Sequence, residues 1–175
     1  MTQLEKLETR LDDVFAKNPA IKLPVKSRKS LAEAMWWLAL VAGILQLWLA
    51  WTFWHAGHWI EDVVSQTNTI AAYYGVHTTV HNLGMLYYIT LVVLLASGVL
   101  SLLAAPGLKA MQKHGWNLLF YSLLVNVVYG FVRMFTDYGG LMSLIGALFG
   151  SAIAAYFLFQ VREYFIKSAS AHKSA

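Results

Sequence analysis

The sequence predicts an all-α polytopic membrane protein, a four-helix transmembrane bundle preceded by an amphipathic helix. Three observations carry that expectation. Of 175 residues, 58% are hydrophobic and only 13% are charged, whereas soluble domains carry about 25% charge. Apolar runs poor in charge recur with the length of about 20 residues that one bilayer crossing needs. The basic residues are partitioned to one side of those runs. The lack of cysteine also excludes disulfides, thiolate metal centres, iron–sulfur clusters and cysteine nucleophiles.

Residues 1–29 read as an amphipathic helix and a basic linker. Leu4, Leu7, Leu11 and Val14 recur at spacings of three, four and three, which is helical periodicity. Thr2 with Glu5 has the form of a capping box, and Asn18-Pro19 followed by Pro24 closes the segment. Lys22, Lys26, Arg28 and Lys29 make the linker basic. The expectation is a helix lying on the inner leaflet with the linker cations on anionic headgroups, and the alternative is a helix that binds a partner.

Residues 30–165 form the membrane domain, with spans over about 31–56, 83–105, 116–136 and 141–162, an outer connection over 57–82 and a tail over 166–175. Ser30 with Glu33 predicts a capping box at the first span. Pro106-Gly107 is expected to end the second span, and Gly139-Gly140 to turn tightly between the third and fourth, making them an antiparallel hairpin. The connection carries an irregular helical stripe of Ile60, Val63, Val64, Ile70, Ala71 and Tyr74. It predicts either an outward extension of the first span or a helix resting on the outer leaflet.

Twelve of the 13 Lys+Arg fall on the side of the two termini, and only Arg133 falls on the other. The positive-inside rule then puts both termini in the cytoplasm. The amino-terminal 30 residues are too charged for a cleaved signal peptide. The net charge of +4 is thus a topology signal, and no basic and aromatic pattern of a nucleic-acid module accompanies it.

Chemistry, if any, is expected on the outer side. His55, His58, Glu61 and Asp62 follow the first span at helical spacing, and His77 and His81 precede the second. Imidazoles with carboxylates suit a transition metal, and His55 facing His81 is the one pair suited in depth to haem. The plainer reading makes these histidines, with Trp51, Trp54, Trp59 and the nearby tyrosines, residues of the interfacial belt. Trp48 and Trp51 are candidates for a stacking wall. No P-loop, nucleophile elbow or metalloprotease signature is present, so no enzyme is expected and no cofactor is required.

Polar residues within the spans are few. Gln46 and Asn126 are expected to hydrogen-bond between helices, and Arg133 to pair at the boundary with Asp137. In the fourth span, Gly146, Gly150 and Ala154 form one small-residue ridge and Ser143, Ala147, Ser151 and Ala155 another. Such ridges predict close helix contact, with another span, a second copy or a different membrane protein.

The segments K-H-G-W-N-L-L-F-Y-S-L-L-V-N (113–126) and L-F-Q-V-R-E-Y-F (158–165), with the L-E-K-L-E amino terminus, make the chain similar to small uncharacterised four-span membrane proteins of reduced-genome bacteria. The resemblance covers most of the chain and implies a bacterial plasma membrane. It carries over no activity and no functional residue. The expected role is a non-catalytic interaction, accessory or scaffold component; the alternative is a small-ligand, metal or haem binding or transport module built on the outer histidines.

Overall fold

The computed structural model describes residues 3–15, 22–75, 84–134 and 140–171. They form five helices: α1 (Gln3–Phe15), α2 (Val25–Tyr73), α3 (Met85–Lys109), α4 (Lys113–Met134) and α5 (Gly140–Ala171). No strand occurs among the described residues. Each of α2 to α5 holds a stretch long and apolar enough to cross a membrane. Among α2 to α5, helices adjacent in the chain pack extensively on one another, whereas α2 and α5 touch sparsely. The bundle is therefore closed on three sides and slack on the fourth.

Several boundaries differ from the sequence expectation. The first span does not start at a Ser30/Glu33 capping box: α2 begins at Val25 behind Pro24, with no side-chain cap. Proline supplies a fixed φ there, and its carbonyl takes the first helical bond from the Arg28 amide at 3.0 Å. Glu33 lies well inside the helix and faces Lys29 at 4.0 Å, one turn away. At its other end α2 continues to Tyr73, 49 residues in all, or about 73 Å of helix. The first half of the outer connection is thus an outward extension of the first span, and 76–83 lies outside the described residues.

Pro106 does not end the second span, because α3 runs on to Lys109. A proline so near a helix end removes one backbone bond and leaves the later ones intact. The chain reverses at Met111, with φ 53, and Ala110, Met111 and Gln112 return their amides to the carbonyls of Pro106, Leu108 and Gly107. Gly107 serves a different purpose from the one its sequence neighbour suggests. A Cβ on Gly115 would lie 2.6 Å from the Gly107 carbonyl carbon and 2.8 Å from the Ala104 oxygen. Two backbones meet there, and neither can swing aside. Gly115→Ala is expected to cost about 1–3 kcal/mol by overpacking. Gly146→Ala, where a Cβ meets nothing within 4 Å, should be neutral or stabilising by up to about 1 kcal/mol, since alanine is the better helix former. Heating detergent-solubilised variants and measuring the surviving monodisperse fraction checks the pair.

The core is concentrated at the end of the bundle near both termini, around Ala32, Leu108, Trp116, Phe120, Phe159, Val161 and Phe165. The α1 helix docks there against α5 through one face. Its half-buried face is Glu8, Leu11, Asp12 and Phe15, while Leu7 and Val14 are exposed. Arg162 Nε donates to Glu8 Oε1 at 3.0 Å, and its Nη1 lies 3.4 Å from Asp12 Oδ1. Phe15 stacks on Phe159 at 6.4 Å. The Gln160 amide, 2% exposed, donates to the Phe15 carbonyl at 2.6 Å and accepts from the Leu23 amide at 3.1 Å. One side chain therefore ties both flanks of the linker to α5. In the first turn of α2, Arg28 is buried beside Glu163 at 3.3 Å and donates to the Leu23 carbonyl. It is a structural cation and not a headgroup contact. Helix α5 correspondingly continues beyond the fourth span to Ala171, through the first part of the expected tail.

Candidate functional site

The slack side of the bundle holds a cavity of ≈ 490 Å³. From α2 it is lined by Met35, Leu38, Ala39, Ala42 and Gln46, from α4 by Leu119, Ser122, Leu123, Asn126 and Tyr129, and from α5 by Gly146, Ala147, Gly150, Ser151, Ala154 and Leu158. Each set follows a helical repeat of three and four, so each helix presents one stripe to the same space. Small side chains dominate α5 and so leave volume that larger ones would fill.

Close packing of the two ridges is therefore realised only in part. Ala147 meets α4 tightly, for a Cβ on Gly130 would stand 2.6 Å from its methyl. Gly146 and Gly150 meet nothing within 4 Å of a Cβ position and border the cavity with Ser151 and Ala154. The side chain of Ser143 lies outside the described residues.

Polar groups around the cavity fall into two sets. Asn126 Nδ2 donates to Ser97 Oγ on α3 at 3.1 Å and to the Ser122 carbonyl at 2.8 Å, making the expected interhelical bond. Tyr129 OH and Thr90 Oγ1 are 2.7 Å apart, and Ser101 Oγ donates to the Ser97 carbonyl at 2.8 Å. Gln46 does not make the bond expected of it: its Oε1 is enclosed and has no hydrogen-bond partner. An enclosed amide oxygen without a donor costs roughly 1–3 kcal/mol, so this atom marks either a fault or a site.

The outer residues are placed differently. His55 Nδ1 donates to the Trp51 carbonyl and His58 Nδ1 to the Trp54 carbonyl, both at 3.0 Å. Each imidazole also lies against the tryptophan one turn back, with centroids 4.3 and 4.4 Å apart. Glu61 accepts from Tyr88 OH at 3.2 Å, and Asp62 is exposed. Tyr87 OH reaches the carbonyls of Phe53 and Trp54 across Gly57, where a methyl would overlap it. The histidine contacts lie within α2, whereas the Tyr87 and Tyr88 hydrogen bonds tie α3 to α2. No group of three metal-ligating side chains converges among the described residues, and His77 and His81 lie outside them. Trp48 and Trp51 are 60% and 64% exposed and absent from the cavity lining, so they form no wall to it. Arg133 lies in the last turn of α4, and Asp137 is outside the described residues.

Four helices long and apolar enough to cross a membrane are consistent with a multi-pass membrane protein, here with a laterally slack bundle. No family model, curated protein or solved structure matches the chain.

Proposed function

We propose that this chain is a non-catalytic accessory protein of the plasma membrane, with both termini in the cytoplasm, that binds a membrane component in the groove between α2, α4 and α5. The observation that carries the reading is the groove of ≈ 490 Å³ lined by small and apolar side chains of three helices, with the Gln46, Asn126 and Tyr129 side chains among them. Ligand pockets are typically about 300–1,000 Å³, mostly apolar, with few polar groups to fix orientation. The groove has that size and that balance. Its slack side lies where α2 and α5 separate, which suits entry from the bilayer and not from water.

The direct test fills the groove without disturbing the fold. Gly150→Leu places a larger side chain where a Cβ meets open space. Native mass spectrometry of protein released from its own membranes is expected to show a stoichiometric bound molecule on the parent chain. The variant should lose it while keeping its thermal stability. Parent protein that emerges empty, or a variant that retains the adduct, counts against the groove.

A further inference from the structure

We infer that α1 is held on two adjacent faces at once. Glu8, Asp12 and Phe15 bind α5, while Leu7, Val14, Arg10 and Lys6 bind the anionic lipid headgroups of the leaflet on the side of the termini. Depth, facing and charge support this surface, and none of the three depends on the groove.

The depth of α1 is set by its partners on α5. Lys109 lies 5.1 Å over the ring of Trp36, a cation and an aromatic of the kind that mark the membrane boundary. Arg28 comes eight residues before Trp36 on α2, about 12 Å of helix axis, and it meets Glu163 of α5. Arg162 and Phe159, which hold α1, precede Glu163 by one and four residues. They therefore stand about 6–10 Å outside the boundary. Headgroups occupy about 5–8 Å on each side of the hydrocarbon core, so α1 docks at their level. Contact between α1 and α5 is short: Glu8 and Phe15 are about 10 Å apart along α1, and their partners about 4.5 Å apart along α5. The helix thus crosses α5 and runs mainly along the membrane surface.

Facing follows from the order of residues around α1. At 100° per residue the docked face runs Asp12, Glu8, Phe15, Leu11. The two acids reach Arg162, whereas Phe15 reaches Phe159, about one turn nearer the membrane. Going round from the acids to Leu11 is therefore going toward the bilayer. Next in that direction come Leu7 and Val14, and then Arg10 and Lys6 on the side away from α5. All four are exposed, Leu7 at 39% and Val14 at 55%. Thr9 and Asp13 lie beyond Lys6, on the side turned from the bilayer.

The charges are sorted to match. Glu8 and Asp12 would oppose an anionic surface, but Arg162 takes up both, while Lys6 and Arg10 stay exposed. An apolar pair flanked by cations, on a helix at headgroup depth, is the arrangement that binds anionic lipid.

The chain has no cysteine, so Val14→Cys and Thr9→Cys each accept a single nitroxide label. In nanodiscs containing phosphatidylglycerol, the label at 14 is expected to be relaxed more by oxygen than by a soluble nickel chelate, and the label at 9 the reverse. On the unlabelled chain, amide hydrogen exchange across α1 should slow by roughly 10- to 30-fold from phosphatidylcholine to phosphatidylglycerol nanodiscs, since each cation near an anionic surface contributes about fivefold. High salt should erase that difference. Lys6→Gln with Arg10→Gln, both at exposed positions, should match the parent in phosphatidylcholine, where docking on α5 alone holds the helix, and should lose the response to phosphatidylglycerol. Equal exchange of the parent in the two lipids, or a response that survives in the double variant, overturns the assignment to anionic headgroups. A label at 14 as open to nickel as the one at 9 shows that the face meets water. A label at 14 shielded from both reagents in either lipid shows that protein, a second copy or another chain, covers it; each of these two results also overturns the proposal.

Discussion

Trp116→Ala is expected to destabilise the protein by about 3–5 kcal/mol, the range for truncating a fully buried aromatic. Its ring is 1% exposed, stacked on Phe120 at 5.5 Å and edge-on to Phe159 at 5.3 Å. The Arg162 guanidinium lies 5.5 Å from its centroid. The indole Nε1 donates to the Leu158 carbonyl at 2.9 Å, which ties the start of α4 to α5. That carbonyl also sits within the α5 ladder, so losing the indole leaves it partnered and adds little penalty. Trp116→Phe keeps most of the apolar contact and forfeits the hydrogen bond, for an expected loss of about 1 kcal/mol. Size-exclusion after a heating series reads both without depending on tryptophan fluorescence. A midpoint lower by of order 10 °C is expected for the alanine variant, with phenylalanine in between. An alanine variant that melts with the parent would show that this cluster does not anchor the bundle.

Trp116 also shows what was legible in the sequence and what was not. The four long helices follow from hydropathy alone, because apolar run length is a local property and every backbone group in lipid must be satisfied within its own helix. Asn126 stands out as a polar residue in an apolar run, and its bond to Ser97 is the kind such residues make. The anchor was less visible. In sequence Trp116 resembles another boundary tryptophan, and only the approach of α5 makes it the centre of a core.

The same limit explains the face of α1. Apolar periodicity selects Leu4, Leu7, Leu11 and Val14, but the docked side is Glu8, Leu11, Asp12 and Phe15, at spacings of three, one and three. That set is as helical as the other. Periodicity of apolar residues passes over it because half of it is acidic, and the acids are buried against Arg162, 150 residues away in the chain and thus invisible to any local window. Gln46 was misread for the converse reason. A lone amide in a span is expected to find a partner, and whether it does depends on three helices meeting around it. Small residues on α5 were read as signs of contact, yet at Gly146 and Gly150 they produce volume. The sequence specifies small side chains; which neighbour comes close enough to use the space is a tertiary matter.

Arg162→Ala is expected to release α1. The arginine and both carboxylates are largely enclosed, with side-chain exposures of 19% for Arg162, 13% for Glu8 and 16% for Asp12. Removing the cation leaves two carboxylates one helical turn apart, partly desolvated and without their Arg162 partner. Breaking a buried pair costs roughly 3–5 kcal/mol, and the residual exposure here lowers the expectation to about 2–3 kcal/mol. A helix of 13 residues is marginal by itself in water, so release and unfolding of α1 are one event. Lys6 and Arg10 are exposed tryptic sites on that helix, protected only while its backbone stays helical. If cleavage follows the population of the open form, the rate at those sites should rise by roughly 30- to 150-fold in the variant. Adding Glu8→Gln and Asp12→Asn to Arg162→Ala removes the uncompensated charges and should slow cleavage again, though not to the parent rate, because Phe15 on Phe159 and the Gln160 amide still hold the helix end. A purely steric role for Arg162 predicts no such recovery. Cleavage unchanged in the single variant would mean that the apolar contacts and Gln160 hold α1 without the ion pairs.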